Sequence, residues 1–183
     1  KTFTPEWTET SPPEKSYRSI FKWGNPEEFK HPDQRLYRMM KEVFDMTDED
    51  FASKTNEGNE TVETKQKIKL PKTDINALKK IVGSENVSED DYSRVKYSTG
   101  KTIEEAMNLR NQNPGKVCDI AVHPRNTEDV KKIVEYCNKK KIPVNTYGGG
   151  SSVNFGLKPM KGGISLVLST HMNRVLYLNE LNQ

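Results

Sequence analysis

Between Asp33 and Met46 the apolar residues Leu36, Met39, Met40, Val43 and Phe44 recur at i, i+3, i+4, i+7 and i+8. That spacing predicts a helix with one apolar face, its two methionines filling core. After Pro71, Thr73 or Asp74 is placed to cap a short helix whose Ile75, Leu78, Ile81 and Val82 share a face, with Gly83 placed to end it. Residues 88–111 read as helical and surface-lying. Within them Thr102 and Glu105 form a capping box, and Ile103, Ala106, Met107 and Arg110 follow at helical spacing. The period then changes, because residues 117–122 are a short branched run closed by Pro124, the pattern of a buried strand. Asn126 or Thr127 caps a further helix in which Val130, Ile133, Val134 and Cys137 repeat up to Lys141, and residues 142–147 form a second strand. A strand-helix-strand unit of this size is normally parallel. Residues 164–168 and 174–178 add two strands joined by a turn at 169–173.

The polar segments give a different picture. Pro5, Pro12, Pro13 and Pro26 lie among Trp7, Tyr17, Phe21 and Trp23, a composition suited to an extended arm laid on a partner surface. Residues 53–66 are almost wholly polar, with Gly58 inside them, and read as a flexible surface loop marking a boundary. Leu, Ile, Val and Phe supply 8 of residues 1–60 but 18 of residues 117–178, which places the core in the C-terminal half.

Charge excludes little except a nucleic-acid footprint, since 29 basic residues are balanced by 26 acidic ones. The longest basic run, Lys139, Lys140 and Lys141, falls at a helix C-terminus, where cations complement the dipole. Cys118 and Cys137 sit in apolar patterns and read as small hydrophobes, reduced and not catalytic, in a cytoplasmic-type compartment. No run approaches the length of a spanning helix, and the first residues lack a signal pattern. His31, His123 and His171 have no metal-ligand spacing, so no metal is expected, and His171 reads as a solvent-facing turn residue.

One segment is hard to explain as packing. The second strand runs into Gly148-Gly149-Gly150-Ser151-Ser152. Three glycines clear one turn of side chains, permit positive φ, and let successive N–H groups face a common concavity that suits phosphate oxygens. A flexible turn is the competing reading. Position favours a ligand site, because α/β sheets place ligands beyond the carboxyl ends of parallel strands. The loop matches neither G-x-G-x-x-G opening a helix nor a P-loop, so it is a diphosphate loop of neither Rossmann nor Walker type.

The runs Asp119-Ile120-Ala121-Val122-His123-Pro124, Glu128-Asp129-Val130, Ile142-Pro143 and Tyr147-Gly148-Gly149-Gly150-Ser151-Ser152 resemble the FAD-binding domain of the vanillyl-alcohol oxidase and p-cresol methylhydroxylase superfamily. Arg94, Gly100-Lys101-Thr102 and Leu109-Arg110, with residues 164–175 including Met172-Asn173-Arg174, are similar to its alkyldihydroxyacetonephosphate synthase branch. The N-terminal part matches loosely, through Lys22-Trp23-Gly24.

The resemblance implies an α+β fold: a helical N-terminal segment followed by the first part of a VAO/PCMH-type FAD-binding domain. The expected divisions are an arm, helix and polar loop at 1–69, a helical cap at 70–115, and an incomplete FAD-binding domain at 116–183. FAD is the implied cofactor. Thr146, Tyr147, Gly148, Gly149, Gly150, Ser151 and Ser152 hold its pyrophosphate, and Met172 and Asn173 lie near the flavin. Thr146 departs from a frequent Pro and Ser151 from a frequent Thr.

Catalytic residues are expected beyond Gln183, so the chain reads as an inactive N-terminal piece of a flavoenzyme. The implied activity is ether-bond formation from acyl-dihydroxyacetone phosphate and a fatty alcohol. The alternatives are an FAD-dependent 2-hydroxyacid dehydrogenase of the D-lactate or glycolate type, and a non-catalytic interaction module. The implied partner is a small-molecule or lipid-like substrate and not nucleic acid, with a homodimer and peripheral membrane association of a cytoplasmic protein left open.

Overall fold

The computed structural model describes residues 11–22, 34–52 and 56–179. In chain order its elements are α1 (Tyr17–Phe21), α2 (Gln34–Phe44), α3 (Asp48–Ala52), α4 (Lys72–Val82), a 3-10 turn (Ser84–Asn86), β1 (Val87–Ser88), α5 (Asp91–Lys96), α6 (Ile103–Arg110), β2 (Ile120–Val122), α7 (Thr127–Lys140), β3 (Val144–Tyr147) and β4 (Ile164–Val167).

Local chemistry sets the helix ends. Asp90 accepts a hydrogen bond from the Ser93 N–H to start α5, Asn126 does the same from Asp129 to start α7, and the Thr102–Glu105 capping box forms at α6. Gly83 at φ 91° ends α4. Lys141 at φ 57° ends α7, with Lys139 and Lys140 in its last turn. Helix α4 starts directly after Pro71, whose carbonyl accepts from the Asp74 and Ile75 N–H groups, so neither Thr73 nor Asp74 is its cap.

The sheet has the order β1-β2-β4-β3. Strand β4 is parallel to both neighbours, and β1 is antiparallel to β2. The first and second strands of the expected unit are therefore parallel but not adjacent, because β4 lies between them. Side chains alternate as a pleat requires. Ile120, Val122, Ile164 and Leu166 form one cluster with Ile75, Leu78 and Val82 of α4 and with Ile133 and Cys137 of α7. Ala121 and Val167 face the other way, toward Tyr147, Leu157 and Tyr97. Ser165 also faces that side, and its hydroxyl donates to the Tyr97 carbonyl at 2.7 Å.

Several expectations change. A second core draws on both halves, where Tyr17, Ile20 and Val62 cluster with Val95, Leu109 and Val117. Residues 56–62 are not a loose loop, because the Arg18 and Tyr17 N–H groups donate to the Gly58 and Glu60 carbonyls, and the Val62 N–H donates to Lys15. Within its described part, the arm packs on its own chain. Residues 1–10, 23–33 and 53–55, with Trp7, Trp23 and His31, lie outside the described residues.

The face of α2 stays largely open, with Met39, Val43 and Phe44 exposed and Met40 half-buried, since α4 and α7 close the core instead. Near Ser88 there is a strand, β1, and the helix starts three residues later. Helix α6 turns its polar Glu105 inward with Leu109, leaving Ile103 84% exposed, so residues 88–111 are not a surface layer. Residues 174–178 form no strand, having no partner strand among the described residues, and Leu176 is 94% exposed.

Two buried polar groups join these parts. Arg94 donates from Nε to the Cys118 carbonyl (3.1 Å) and from Nη2 to the Gln66 carbonyl (2.7 Å), and its Nη1 pairs with Asp91 (3.1 Å). Asp119 accepts from the Lys69 N–H (2.7 Å) and the Gly163 N–H (2.8 Å), fixing the lead-ins to β2 and β4. Replacing Asp119 by Ala strands both donors. We expect a loss of about 2 kcal/mol or more in chemical denaturation, with part of it returned by Asp119→Asn. An Ala variant as stable as the parent would contradict the assignment.

Candidate functional site

Because β2, β4 and β3 run parallel, their carboxyl ends open on one edge of the sheet. Three loops leave there: His123-Pro124 after β2, the glycine loop after β3, and residues 168–173 after β4. The last two are tied at their roots, since the Leu168 N–H donates to the Tyr147 carbonyl (2.9 Å) and the Met172 N–H to the Leu168 carbonyl (2.9 Å). Thr146 is exposed in β3, Tyr147 is buried, and Met172 and Asn173 are exposed at the same edge. No hydrogen bond among the described residues joins Met172 or Asn173 to the glycine loop.

The three glycines do not share one cause. Gly150 has φ +72°, and a Cβ there would collide with the Tyr147 hydroxyl, so the protein itself requires glycine. Gly148 and Gly149 are exposed, have no positive φ, and would each place a Cβ in open space. Nothing among the described residues explains why they are bare. The two serines also differ. Ser152 Oγ is occupied by Asn154 Oδ1 (2.9 Å) and by the Gly156 N–H (3.1 Å), whereas Ser151 is exposed and has no partner among the described residues.

Beneath the edge lies an aromatic and imidazole cluster that periodicity could not reveal. Tyr97, at the end of α5, meets Tyr147 edge-on at 5.0 Å between centroids and His123 at 5.2 Å. His123 Nδ1 is 2.7 Å from Thr170 Oγ1, and His171, an exposed turn residue as expected, has its Nε2 2.7 Å from Asn86 Oδ1. Burial, then His171 and Lys96, push the His123 imidazole below its ordinary value. Burial, then Tyr97 and Tyr92, push the Tyr147 phenol up to about 12. The signal for His123 was its position at a strand end before Pro124, which spacing alone does not weigh.

A hollow of about 740 Å³ lies elsewhere, lined in part by Tyr17, Thr64, Gln66, Asp91, Asn111 and Gly115. It is largely polar, and none of the expected site residues lines it.

Comparison with known proteins bears on the sheet and its edge. Residues 118–183 match the family described as FAD binding domain. The chain is 39% identical over 72 residues to the mitochondrial cytochrome-type D-lactate dehydrogenase of Kluyveromyces lactis, covering 38% of this chain and 12% of that protein. It is 26% identical over 85 residues to the alkyldihydroxyacetonephosphate synthase of Trypanosoma brucei brucei, covering 46% of this chain and 14% of the relative. A solved alkyldihydroxyacetonephosphate synthase superposes with a TM-score of 0.59 at 20% identity, over 64% of this chain and 23% of that one, which shows a shared fold. The chain thus spans less than a quarter of the length of each of these proteins. Residues 118–183, which hold β2, β3 and β4, thus match an FAD-binding domain, FAD is the cofactor that goes with such a domain, and the fold is shared with the solved synthase.

The lowered His123 value has a consequence for stability. Below its ordinary value of 6.5 the unfolded chain takes up a proton here before the folded chain does. This contribution is therefore present above that pH and is lost as pH falls toward the folded-state value. Denaturation midpoints measured between pH 7 and pH 5 should fall less steeply in His123→Gln than in the parent. Equal slopes would show that His123 is not held neutral.

Proposed function

We propose that Thr146, Tyr147, Gly148, Gly149, Gly150, Ser151 and Ser152 hold the pyrophosphate of FAD, and that Met172 and Asn173 lie near its flavin. The observation that carries this is the bareness of Gly148 and Gly149, which no contact or backbone angle among the described residues demands. A ligand backed against the loop would demand it. Backbone N–H groups and the Ser151 hydroxyl are neutral donors suited to a diphosphate. Tyr147 props the turn from below, and Ser152 closes it internally. FAD, when bound, supplies the reactive ring, while the chain supplies binding and orientation. On this reading residues 1–69 are an N-terminal support, 70–115 a helical cap and 116–183 part of the cofactor domain.

The whole protein is then a flavoenzyme acting on a small-molecule or lipid-like substrate. The reading we favour is alkylglycerone-phosphate synthase activity, forming an ether bond from acyl-dihydroxyacetone phosphate and a fatty alcohol. Support comes from the likeness to the solved synthase, which covers 64% of the chain and so extends beyond the matched residues 118–183. The 39% identity to a D-lactate dehydrogenase supports a second reading, oxidation of a 2-hydroxyacid. No helix among the described residues is long and apolar enough to cross a membrane. A lipid-like substrate would be met at a bilayer surface.

Two experiments test these readings. Gly149→Trp should fold like the parent, because its Cβ enters open space, yet bind FAD about tenfold or more weakly by flavin absorbance and titration. A folded Trp variant with unchanged flavin content would reduce the loop to a turn. Product analysis of the full-length protein should find an ether lipid from acyl-dihydroxyacetone phosphate and fatty alcohol. Oxidation of D-lactate or glycolate without ether formation would establish the second reading instead.

A further inference from the structure

The far end of the glycine loop is held by a segment more than fifty positions earlier in the chain. The Lys101 N–H donates to the Ser152 carbonyl at 2.6 Å. The approach is close enough that a Cβ on Gly100 would collide with that same oxygen. Buried Glu105 sets the backbone on this side. Its Oε1 accepts from the Gly100 N–H (2.9 Å), and its Oε2 accepts from the Thr102 N–H (3.1 Å) and the Thr102 hydroxyl (2.9 Å).

The Lys101 side chain turns the opposite way. Its ammonium donates to the Ile20 carbonyl and to the Lys22 carbonyl (3.2 Å), the backbone acceptors at the end of α1. Burial, then Lys96, lower its pKa, with Glu105 opposing, so holding a cation here is costly and the two carbonyls offset that cost. Helix α1 is itself seated, since Ser19 Oγ meets Tyr92 Oη at 3.3 Å and the Arg110 guanidinium lies over the Phe21 ring at 5.3 Å.

We infer that Lys101 is a positioning residue that couples helix α1 to the glycine loop, its ammonium gripping the end of α1 while its N–H fixes the Ser152 carbonyl. As a statement about the cofactor, this rests on the proposed FAD site. The coupling itself does not, since it can be read in protein without flavin. Linkage makes it reciprocal: what steadies the loop must also steady α1 through Lys101. The short stretch of chain at 17–22, far from the loop in sequence, thereby becomes part of the machinery that shapes the cofactor site.

The test is hydrogen exchange on flavin-free and FAD-saturated protein, with FAD affinity measured alongside. In flavin-free protein Lys101→Met should raise exchange at residues 148–156 several-fold and leave β2 and β4 unchanged, while Lys101→Arg, which keeps the cation, restores protection. FAD should slow exchange at residues 17–22 in the parent and not in Lys101→Met, whose affinity should fall about tenfold.

Should Lys101→Met fail to fold, Gly100→Ala presses on the same Ser152 carbonyl and should likewise loosen residues 148–156. Unchanged exchange at 148–156 in both variants would overturn the coupling. A parent that binds no FAD but shows the flavin-free effect would sink the FAD reading and leave the coupling supported.

Discussion

Strand β4 is the constraint on which the rest of the structure depends. Ile164, Ser165, Leu166 and Val167 are all buried, and the strand is paired on both edges, to β2 and to β3. A strand covered on both faces and both edges cannot slip in register without exposing its branched side chains. Its parallel sense toward both neighbours then brings three loops to one edge. Helices α4 and α7 close one face, and Tyr97, Tyr147 and Leu157 close the other. The site is therefore a by-product of how the core is buried.

Glycine carries two separate demands at that site. At Gly150 and Gly100 the demand is internal, because a side chain would strike the Tyr147 hydroxyl or the Ser152 carbonyl. At Gly148 and Gly149 the described residues leave open space, and the demand is the one the proposed diphosphate would make. On the proposed reading the internal pair builds the shape of the loop and the external pair presents it to the diphosphate. On that reading packing and ligand binding can be changed independently, which a uniform flexible turn would not allow.

Much of this was legible from residue pattern. Helix α7 and its Asn126 cap, the capping box at Thr102, the stop at Gly83 and the glycine loop are local features, and local chemistry decides them. What failed was decided at a distance. The pattern Ile103, Ala106, Met107 pointed to the wrong face of α6, because Glu105 turns inward to serve the Gly100 N–H. In the polar run, Gly58 and Glu60 are fixed by α1 through backbone hydrogen bonds that no side chain announces. Strand β1 is two residues long and exists by pairing with β2. Residues 174–178 have the composition of a strand without a partner among the described residues. Tyr97 and His123 meet through the sheet, so no spacing in sequence could join them.

The central claim is that the edge after β3 receives a diphosphate. Amide chemical shifts of the isotope-labelled protein, followed during addition of FAD and, separately, of adenosine, test it most directly. The account predicts that FAD moves the amides of residues 148–152 most, with those of 169–173 next, and that adenosine, lacking the diphosphate, leaves 148–152 unmoved. Shifts that gather instead around Tyr17, Asn111 and Gly115, or that adenosine reproduces in full, would contradict it.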